Sequence, residues 1–448
     1  MRLLSILLLV GMSLQVEAQN HINMDSLFNW QNTSLVPSTA HFNTYNEIWG
    51  YAKDEVEYAI IGTTAGTHIF DVTIPATSTE VEFIEGAVMG PSIVHRDYHD
   101  HDDYLYMVCD EGPSTLQIAD LRFLPDSAPL VYDSDALFSR SHNIFIDTSS
   151  ARMYVCGGTV QFAVYSLVEP TNPTLLVNCP TEVPFWSTIG YVHDTYVRGD
   201  TAYLNAGERG LFVVDFSDLN DIKMLGSIDT YTQSGYNHSG WLMKDQPYYA
   251  LADETHGMDV KILDVSDFTD IEVEDTIGTN VHQFSIPHNL IYRDNLLFVS
   301  YYFDGLYVFD CADPEQPTLA GYYDTSTEIH QNGVYRGCWG VYPFLPSGNI
   351  LASDMQTGLW IFGSESLSAV EDASSSQDFN VYPNPTSEFV FIPKSMIGAE
   401  YELIDVKGSV VSIGVLNSAL RLHKLPDGLY LLKAKKGEST ATTRLIKR

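Results

Sequence analysis

The feature that most constrains this chain is an internal repeat. A segment of one small or polar residue, four mostly apolar residues and a closing Asp recurs along the sequence, with two copies ending instead in Ser166 and Gly363. The copies occupy residues 66–71, 115–120, 161–166, 210–215, 259–264, 305–310 and 358–363. A spacing of roughly 48 residues indicates one repeat architecture rather than a series of unrelated domains.

Each repeat carries further strand signals around that segment. In the clearest copy, apolar runs are separated by turn residues such as 293–295, 304–305 and 313–317. The runs cover residues 287–292, 296–301, 306–309 and 318–323. Four antiparallel strands per repeat form a propeller blade, and the continuously apolar third strand suits a sheet buried on both faces. The predicted fold class is therefore all-β, with a seven-bladed β-propeller over residues 19–363.

The seventh repeat lacks a fourth strand. After the segment that ends at Gly363 the chain enters a Ser-rich stretch, 364–377, which we predict to be a linker. The strand-like segment 26–31 precedes the first blade. We therefore predict that 26–31 fills the outer edge of blade seven and closes the propeller.

The N-terminus predicts export. Residues 1–18 contain one early Arg, an apolar run from Leu3 to Val10 and a small-residue cleavage pattern at 16–18. That run is much shorter than the roughly 20 residues of a membrane-spanning helix. We interpret 1–18 as a signal peptide, so the mature chain passes the periplasm and has no transmembrane segment.

The C-terminal segment 378–448 differs from the rest of the chain, because its basic residues outnumber its acidic ones. It opens with Asn-Val-Tyr-Pro-Asn-Pro at 380–385 and closes with a Gly-Leu-Tyr strand at 428–430 and a basic end. These features resemble the C-terminal sorting domain of the type IX secretion system of Bacteroidetes. The resemblance implies a small Ig-like β-sandwich that the type IX machinery reads as an address, and a secreted or cell-surface protein.

The repeats themselves resemble a known family. The segments 47–51, 190–194, 237–242, 287–290 and 339–343 are similar to the LVIVD-repeat propellers of the choice-of-anchor B family. The resemblance implies a propeller carried on an exchangeable anchoring or sorting module. It implies no particular reaction.

Composition and missing motifs exclude several functions. A formal net charge of −35 disfavours nucleic acid as a partner. The chain has no G-x-S-x-G, H-E-x-x-H or P-loop motif, and its 5 Cys include no C-x-x-C pair. Two acidic segments remain: 97–103, interpreted as partly a solvated turn, and 253–259, a loop that offers carboxylates to Ca²⁺ without the spacing of an EF-hand.

The strongest candidate site is a ring of histidines. One His begins the first strand of five successive blades, while Trp49 and Trp339 take the equivalent places in the other two. Acidic residues end several of the second strands, which reach the same face of a propeller. The candidate ligands of a divalent metal ion are His95, His142, His193, His238, His288, Glu208, Asp253 and Asp304. The alternative is that each imidazole donates to a nearby acceptor and only ties the blades together.

Two functions from different classes follow. The first is a binding or interaction module whose loops hold an extracellular protein, peptide or glycan, with Tyr231, Tyr236 and 301–303 as candidate contacts. The second is a metal-dependent hydrolase or lyase at the mouth of the channel. The lack of enzyme motifs favours the binding module.

Overall fold

The computed structural model describes residues 21–448, except 245, 365–366, 368–376, 379–380, 382–383, 385, 406–409, 427 and 437–438. The predicted signal peptide and most of the predicted linker lie outside the described residues. The chain divides into two compact units, Met1–Ser364 and Glu365–Arg448.

The first unit is a seven-bladed β-propeller, as predicted. Its described residues form seven antiparallel sheets, and the strands of each lie in chain order except where N-terminal strands add to the outer edges of blades six and seven. Blades one to four contain Tyr45–Lys53, Val56–Thr63, Gly66–Asp71 and Thr79–Glu85; Arg96–His101, Tyr104–Cys109, Leu116–Asp120 and Leu130–Ser134; Asn143–Asp147, Arg152–Gly157, Gln161–Ser166 and Thr174–Asn178; and Asp194–Arg198, Thr201–Asn205, Leu211–Asp215 and Lys223–Ile228. Blades five to seven contain Asn237–Leu242, Tyr248–Asp253, Val260–Asp264 and Glu272–Ile277; Leu290–Arg293, Leu296–Ser300, Leu306–Asp310 and Thr318–Tyr323; and Cys338–Tyr342, Ile350–Asp354 and Gly358–Gly363, completed by Asp25–Trp30.

Tight two-residue turns join the first and second strands of several blades. Asp102 and Asp103 have φ of 50° and 63°, and Asp294 and Asn295 have φ of 50° and 66°. Positive φ at both central residues is the geometry of the turns that match the twist of a hairpin, and Asp and Asn tolerate it. The end of the acidic segment 97–103 is therefore a hairpin turn.

The N-terminal strand completes blade seven. The segment predicted for this edge was 26–31, and the strand that occupies it, Asp25–Trp30, pairs antiparallel with Gly358–Gly363. The Trp30 ring lies 4.7 Å from the ring of Phe70 and so also packs against blade one. A short strand that the sequence did not indicate, His21–Ile22, adds to the outer edge of blade six.

The hydrophobic core lies between neighbouring blades. One cluster joins Tyr154 and Phe162 of blade three to Phe212 of blade four, and includes Trp186 from a loop helix. The short helices of this unit are Pro75–Thr77, Leu121–Phe123, Cys179–Glu182 and Trp186–Ile189. No helix in the described part of the chain combines the length and apolar character needed to cross a membrane.

The second unit is a small β-sandwich. A five-stranded sheet and a two-stranded sheet enclose a core that includes Val390, Leu403 and Leu432. The five-stranded sheet contains, in spatial order, Gln377–Asp378, Ser439–Lys447, Gly428–Lys436, Glu400–Asp405 and Val410–Val415. The two-stranded sheet pairs Phe389–Phe391 with Ala419–Arg421, and a 3-10 turn covers Lys394–Met396.

Candidate functional site

The five histidines named from the sequence meet at one end of the propeller channel. Successive rings along the series His95, His142, His193, His238 and His288 have centroids 4.2, 4.0, 4.3 and 4.4 Å apart. Trp339 lies 4.4 Å from His288 and 5.6 Å from His95, which closes the ring. Each imidazole comes from the start of a blade's first strand, so the repeat itself creates the ring.

Trp49 does not belong to this ring, contrary to the sequence-based assignment. In blades five and seven the ring residue lies in a β-bulge, between Asn237 and Ser239 or between Cys338 and Gly340. The corresponding bulge of blade one, between Tyr45 and Ile48, contains Asn46 and Glu47. Trp49 lies further along the strand, 4.5 Å from the ring of His99.

His142 and His193 form the closest pair in the ring. Their Nε2 atoms are 2.9 Å apart. On the far side of each ring, His142 Nδ1 lies 2.9 Å from Asp110 Oδ2, and His193 Nδ1 lies 3.2 Å from the hydroxyl of Tyr236. A carboxylate can only accept, so His142 carries its proton on Nδ1 and presents a bare Nε2.

A second group of ligand atoms adjoins the first. His238, Glu254 and His288 each bring one ligand atom within 4.8 Å of the others, as do His142, His193 and His238. His288 Nδ1 donates to the backbone oxygen of Trp339 at 2.5 Å, which leaves its Nε2 bare. Glu254 accepts a hydrogen bond from Tyr302 at 2.5 Å. His238 belongs to both groups.

Burial keeps His193, His238 and His288 in the neutral form. Desolvation, reinforced by neighbouring imidazoles, holds the pKa of His193 and of His238 well below the usual value. Burial lowers the pKa of His288 to about 3. Burial also raises the pKa of Glu254 to about 7. Neutral imidazole is the form that ligates metal ions, so the site suits a cation at neutral pH.

The structure separates the predicted acids from the ring. Asp253 forms a 2.7 Å ion pair with Lys261, and both side chains are fully buried. Asp304 is paired instead with His330. Glu208 is exposed at the edge of the cavity beside His193. The acids that do approach the ring are Asp110, beside His142, and Glu254, one residue after the predicted Asp253 and 3.8 Å from His238.

Other sequence-based candidates have structural roles. The stretch 301–303 is buried, whereas Tyr236 faces the ring. Asp97 lies on a strand and is 5% exposed, so its segment is not solvated throughout. Asp253, at the start of the proposed Ca²⁺ loop, is already neutralised by Lys261. All five cysteines are buried and unpaired.

An open cavity of about 450 Å³ adjoins the ring. His193 and Glu254 form part of its lining, so a metal held by the ring would be within reach of a ligand there. The remaining lining is mostly polar and consists of Glu208, Tyr236, Thr255, His256, Asn332 and Tyr335.

A second set of polar side chains lies deeper in the channel. Glu47, Asp97 and Asp194 line a common cavity. Burial, with repulsion from Asp194, raises the pKa of Glu47 to about 7, and burial raises the pKa of Asp97 well above its usual range. This layer was not predicted from the sequence, although Glu47 and Asp194 directly follow ring positions.

Glu47 is expected to make stability fall as pH rises. Its pKa is raised in the folded protein. The free energy of unfolding is therefore highest below the unfolded pKa near 4.5, and it falls as pH rises through about 7. Gln mimics the protonated acid. Glu47→Gln should match the wild type at pH 5 and exceed it by roughly 2–3 kcal/mol at pH 8, measured by urea unfolding. Equal differences at both pH values would contradict this, and Glu208→Gln is the control.

Fold and tail together define a class: a β-propeller followed by a sorting module. The family described as "Secretion system C-terminal sorting domain" matches residues 380–448, which confirms the predicted sorting domain. This tail indicates secretion or attachment at the outer-membrane cell surface, and handling by the type IX machinery. The finer resemblance to LVIVD-repeat propellers stays a prediction. The search of curated proteins found no match.

Solved structures resemble the propeller. The β-propeller domain of Myceliophteria thermophila Cps50 (Swd1) aligns with a TM-score of 0.51 at 11% identity, over 76% of this chain and 99% of that one. The computationally designed Ika8 protein aligns with a TM-score of 0.44 at 10% identity, over 73% and 98% of the two chains. At 11% identity, the similarity to the Cps50 (Swd1) domain shows only that the fold is shared.

Proposed function

We propose that this chain is an exported binding module that holds a divalent transition-metal ion at the histidine end of its propeller channel. The observation that carries the proposal is the pair of Nε2 atoms of His142 and His193, 2.9 Å apart. Asp110 and Tyr236 engage the opposite ring nitrogens. A carboxylate behind a ligating imidazole fixes its tautomer and raises its basicity, as in many zinc sites.

The spacing of the two nitrogens suits a shared ion. Zinc–nitrogen bonds of about 2.0–2.1 Å at a tetrahedral angle place two ligand nitrogens about 3.3 Å apart. The observed pair needs to open by only a few tenths of an ångström. His238 supplies a third ligand, and Glu254 or His288 a further one. Imidazole with carboxylate favours zinc, nickel, copper or iron over calcium and magnesium.

A hydrogen-bond chain is the competing explanation for the same contact. Tyr236 would donate to His193, His193 to His142, and His142 to Asp110, with no ion involved. Both arrangements place a proton on His142 Nδ1, and they differ at His193. The metal arrangement needs a proton on Nδ1 of His193, whereas the chain needs it on Nε2.

The open cavity beside the ring suggests how the module binds. A metal with a free coordination position would face polar side chains such as Glu208 and Asn332. This lining suits a carboxylate, hydroxyl or amide of an extracellular protein or glycan. A hydrolase or lyase would use the same metal to activate water, but the comparisons, which show a fold and a sorting tail, do not favour it.

Metal analysis tests the proposal. The full chain should purify with, or take up, about one Zn²⁺ per chain, and saturating Zn²⁺ should stabilise it by roughly 2–3 kcal/mol at a hundredfold excess over Kd. His142→Gln with His193→Gln should abolish both effects, because Gln keeps hydrogen bonding while weakening ligation. His282→Gln, which lies outside both ligand groups, is the control.

Two results would contradict the proposed metal site. One is a wild-type chain that contains no metal and whose melting temperature ignores Zn²⁺, Ni²⁺ and Ca²⁺. The other is Zn²⁺ stabilisation that persists unchanged in the double variant. Either result would leave the hydrogen-bond chain as the explanation of the contact between His142 and His193.

A further inference from the structure

The first strands of the blades repeat a second pattern below the ring. In four of the five blades that carry it, a polar or acidic residue follows the ring position, and in all five an aromatic residue stands three positions after it. The pattern covers 46–49, 142–145, 193–196, 238–241 and 339–342. Three residues of strand correspond to about 10 Å, so the aromatic level lies about 10 Å from the ring along the same strands.

The aromatic side chains at this level touch one another around much of the channel. We call them the aromatic collar: Trp49, His99, Phe145, Tyr196, Trp241 and Tyr342. Trp49 lies 4.5 Å from His99 and 5.0 Å from Tyr342. Phe145 lies 5.3 Å from both His99 and Tyr196, and Tyr196 lies 4.8 Å from Trp241. The collar is continuous over six of the blades.

The cavity between the collar and the ring is acidic. Trp49, Phe145 and Trp241 line it together with Glu47 and Asp97. Asp194 completes its acidic lining. Each acid accepts a hydrogen bond from a neutral donor: Asn289 for Glu47, the Ile144 backbone for Asp97 and the Thr195 backbone for Asp194.

The cavity contains no protein cation to balance these acids. None of the three takes part in the ion pairs formed among the described residues. No Lys or Arg is among the residues that line the cavity. Elsewhere in the propeller a fully buried acid, Asp253, has its own lysine. Three acids without a cationic partner therefore line one cavity.

We propose that this cavity binds an organic ammonium cation. The carboxylates supply the counter-charge, and the faces of Trp49, Phe145 and Trp241 supply the walls. Aromatic faces attract cations through their quadrupole, and indole is the strongest of them. The cavity offers no Lys or Arg to a phosphate or carboxylate, whereas a bound cation favours the ionised form of its acids.

A metal ion fits this cavity less well. A metal needs three or more ligand atoms gathered around one point, and the two such groups found among the described residues both belong to the histidine ring. The acids instead stand on separate blades around a cavity that also has apolar walls. That arrangement matches a cation that carries its own carbon groups. The proposal does not depend on the metal site.

Titration calorimetry with the full chain tests the proposal. The probes are methylammonium, trimethylammonium and tetramethylammonium, with tert-butanol as the uncharged match. Nα-acetyl-lysine methylamide distinguishes a free amine from an ammonium group carried on a larger molecule. We expect at least one ammonium probe to bind and tert-butanol not to bind.

Two substitutions in the cavity and two outside it make the test specific. Trp241→Leu and Glu47→Gln should each weaken ammonium binding about tenfold or more. Trp360→Leu, on the outer part of blade seven, and Glu272→Gln, on the outer strand of blade five, should leave the affinity unchanged. Phe145→Leu replaces Trp241→Leu if that variant does not fold, as judged by its melting curve.

Each outcome of the calorimetry either supports or overturns the ammonium site. Binding of acetyl-lysine methylamide as tight as that of methylammonium supports the proposal and assigns the ligand to a lysine-like side chain. Binding of the free amines alone supports it and assigns a free amine. Failure of every ammonium probe, equal binding of tert-butanol, or affinity unchanged in both cavity variants would overturn it. The metal content of the wild type decides none of these results.

Discussion

A chain that lacks residues 19–31 is expected to melt roughly 10 °C or more below the wild type. The deletion removes Asp25–Trp30, the outer strand of blade seven, together with its pairing to Gly358–Gly363. It also removes Trp30, whose ring lies 5.0 Å from His68 and 4.7 Å from Phe70 of blade one. Losing an aromatic packing site and a ladder costs about 4 kcal/mol, and each kcal/mol lowers Tm by about 2–4 °C in a domain of this kind.

A shorter deletion distinguishes the effect of opening blade seven from the effect of shortening the N-terminus. Removing only 19–22 takes away the two-residue strand His21–Ile22, which extends a blade that already has four strands. Its effect should be below about 1 kcal/mol. Differential scanning calorimetry of both deletions provides the measurement. The importance of closure would be refuted if the two deletions had the same small effect, or if Trp30→Ala left Tm unchanged.

The buried pair of Lys261 and Asp253 predicts the second large effect. The two charges are 2.7 Å apart, and both side chains have no exposed surface. Lys261→Met leaves a buried carboxylate, and Asp253→Asn leaves a buried ammonium group. Each single substitution should cost about 3–5 kcal/mol of unfolding free energy, because an unpaired buried charge loses its hydration without compensation.

The double variant is the informative comparison. With Asp253→Asn and Lys261→Met together no charge remains, so most of the lost stability should return. Lys223→Met breaks an exposed pair with Asp221 at a similar distance of 2.9 Å and should change stability by less than about 1 kcal/mol. Urea unfolding of the four variants measures these differences. A double variant as unstable as the sum of the singles would disprove the explanation.

The sequence predicted the blades because one strand per repeat carries a strong signal. The third strands are apolar on both faces, and 306–309 and 211–214 show this without any knowledge of their neighbours. The sorting tail was equally visible, since its opening and closing segments are specific. The short strand His21–Ile22 was not visible, because two residues carry no periodicity and its pairing depends on a partner about 300 residues away.

The candidate site was predictable only by residue type. The repeat spacing predicted that five histidines lie at one end of the channel. It could not predict which of two adjacent acids, Asp253 or Glu254, faces them. Asp253 ends its strand and Glu254 follows it, and the two side chains have different partners: Asp253 meets Lys261, and Glu254 approaches His238. Trp49 was misplaced because blade one carries Asn46 at the ring position, and the next aromatic residue along the strand stands three positions later.

The pairing of Asp25–Trp30 with Gly358–Gly363 also sets the order in which the chain can finish folding. A chain is synthesised from its N-terminus. Asp25–Trp30 is therefore made early and can pair only after Gly358–Gly363 has been made. Contacts between such distant segments form slowly, since a loop of almost the whole propeller must close first. During that delay both open edges can pair with other chains. Ring closure is therefore the step at which folding and aggregation compete.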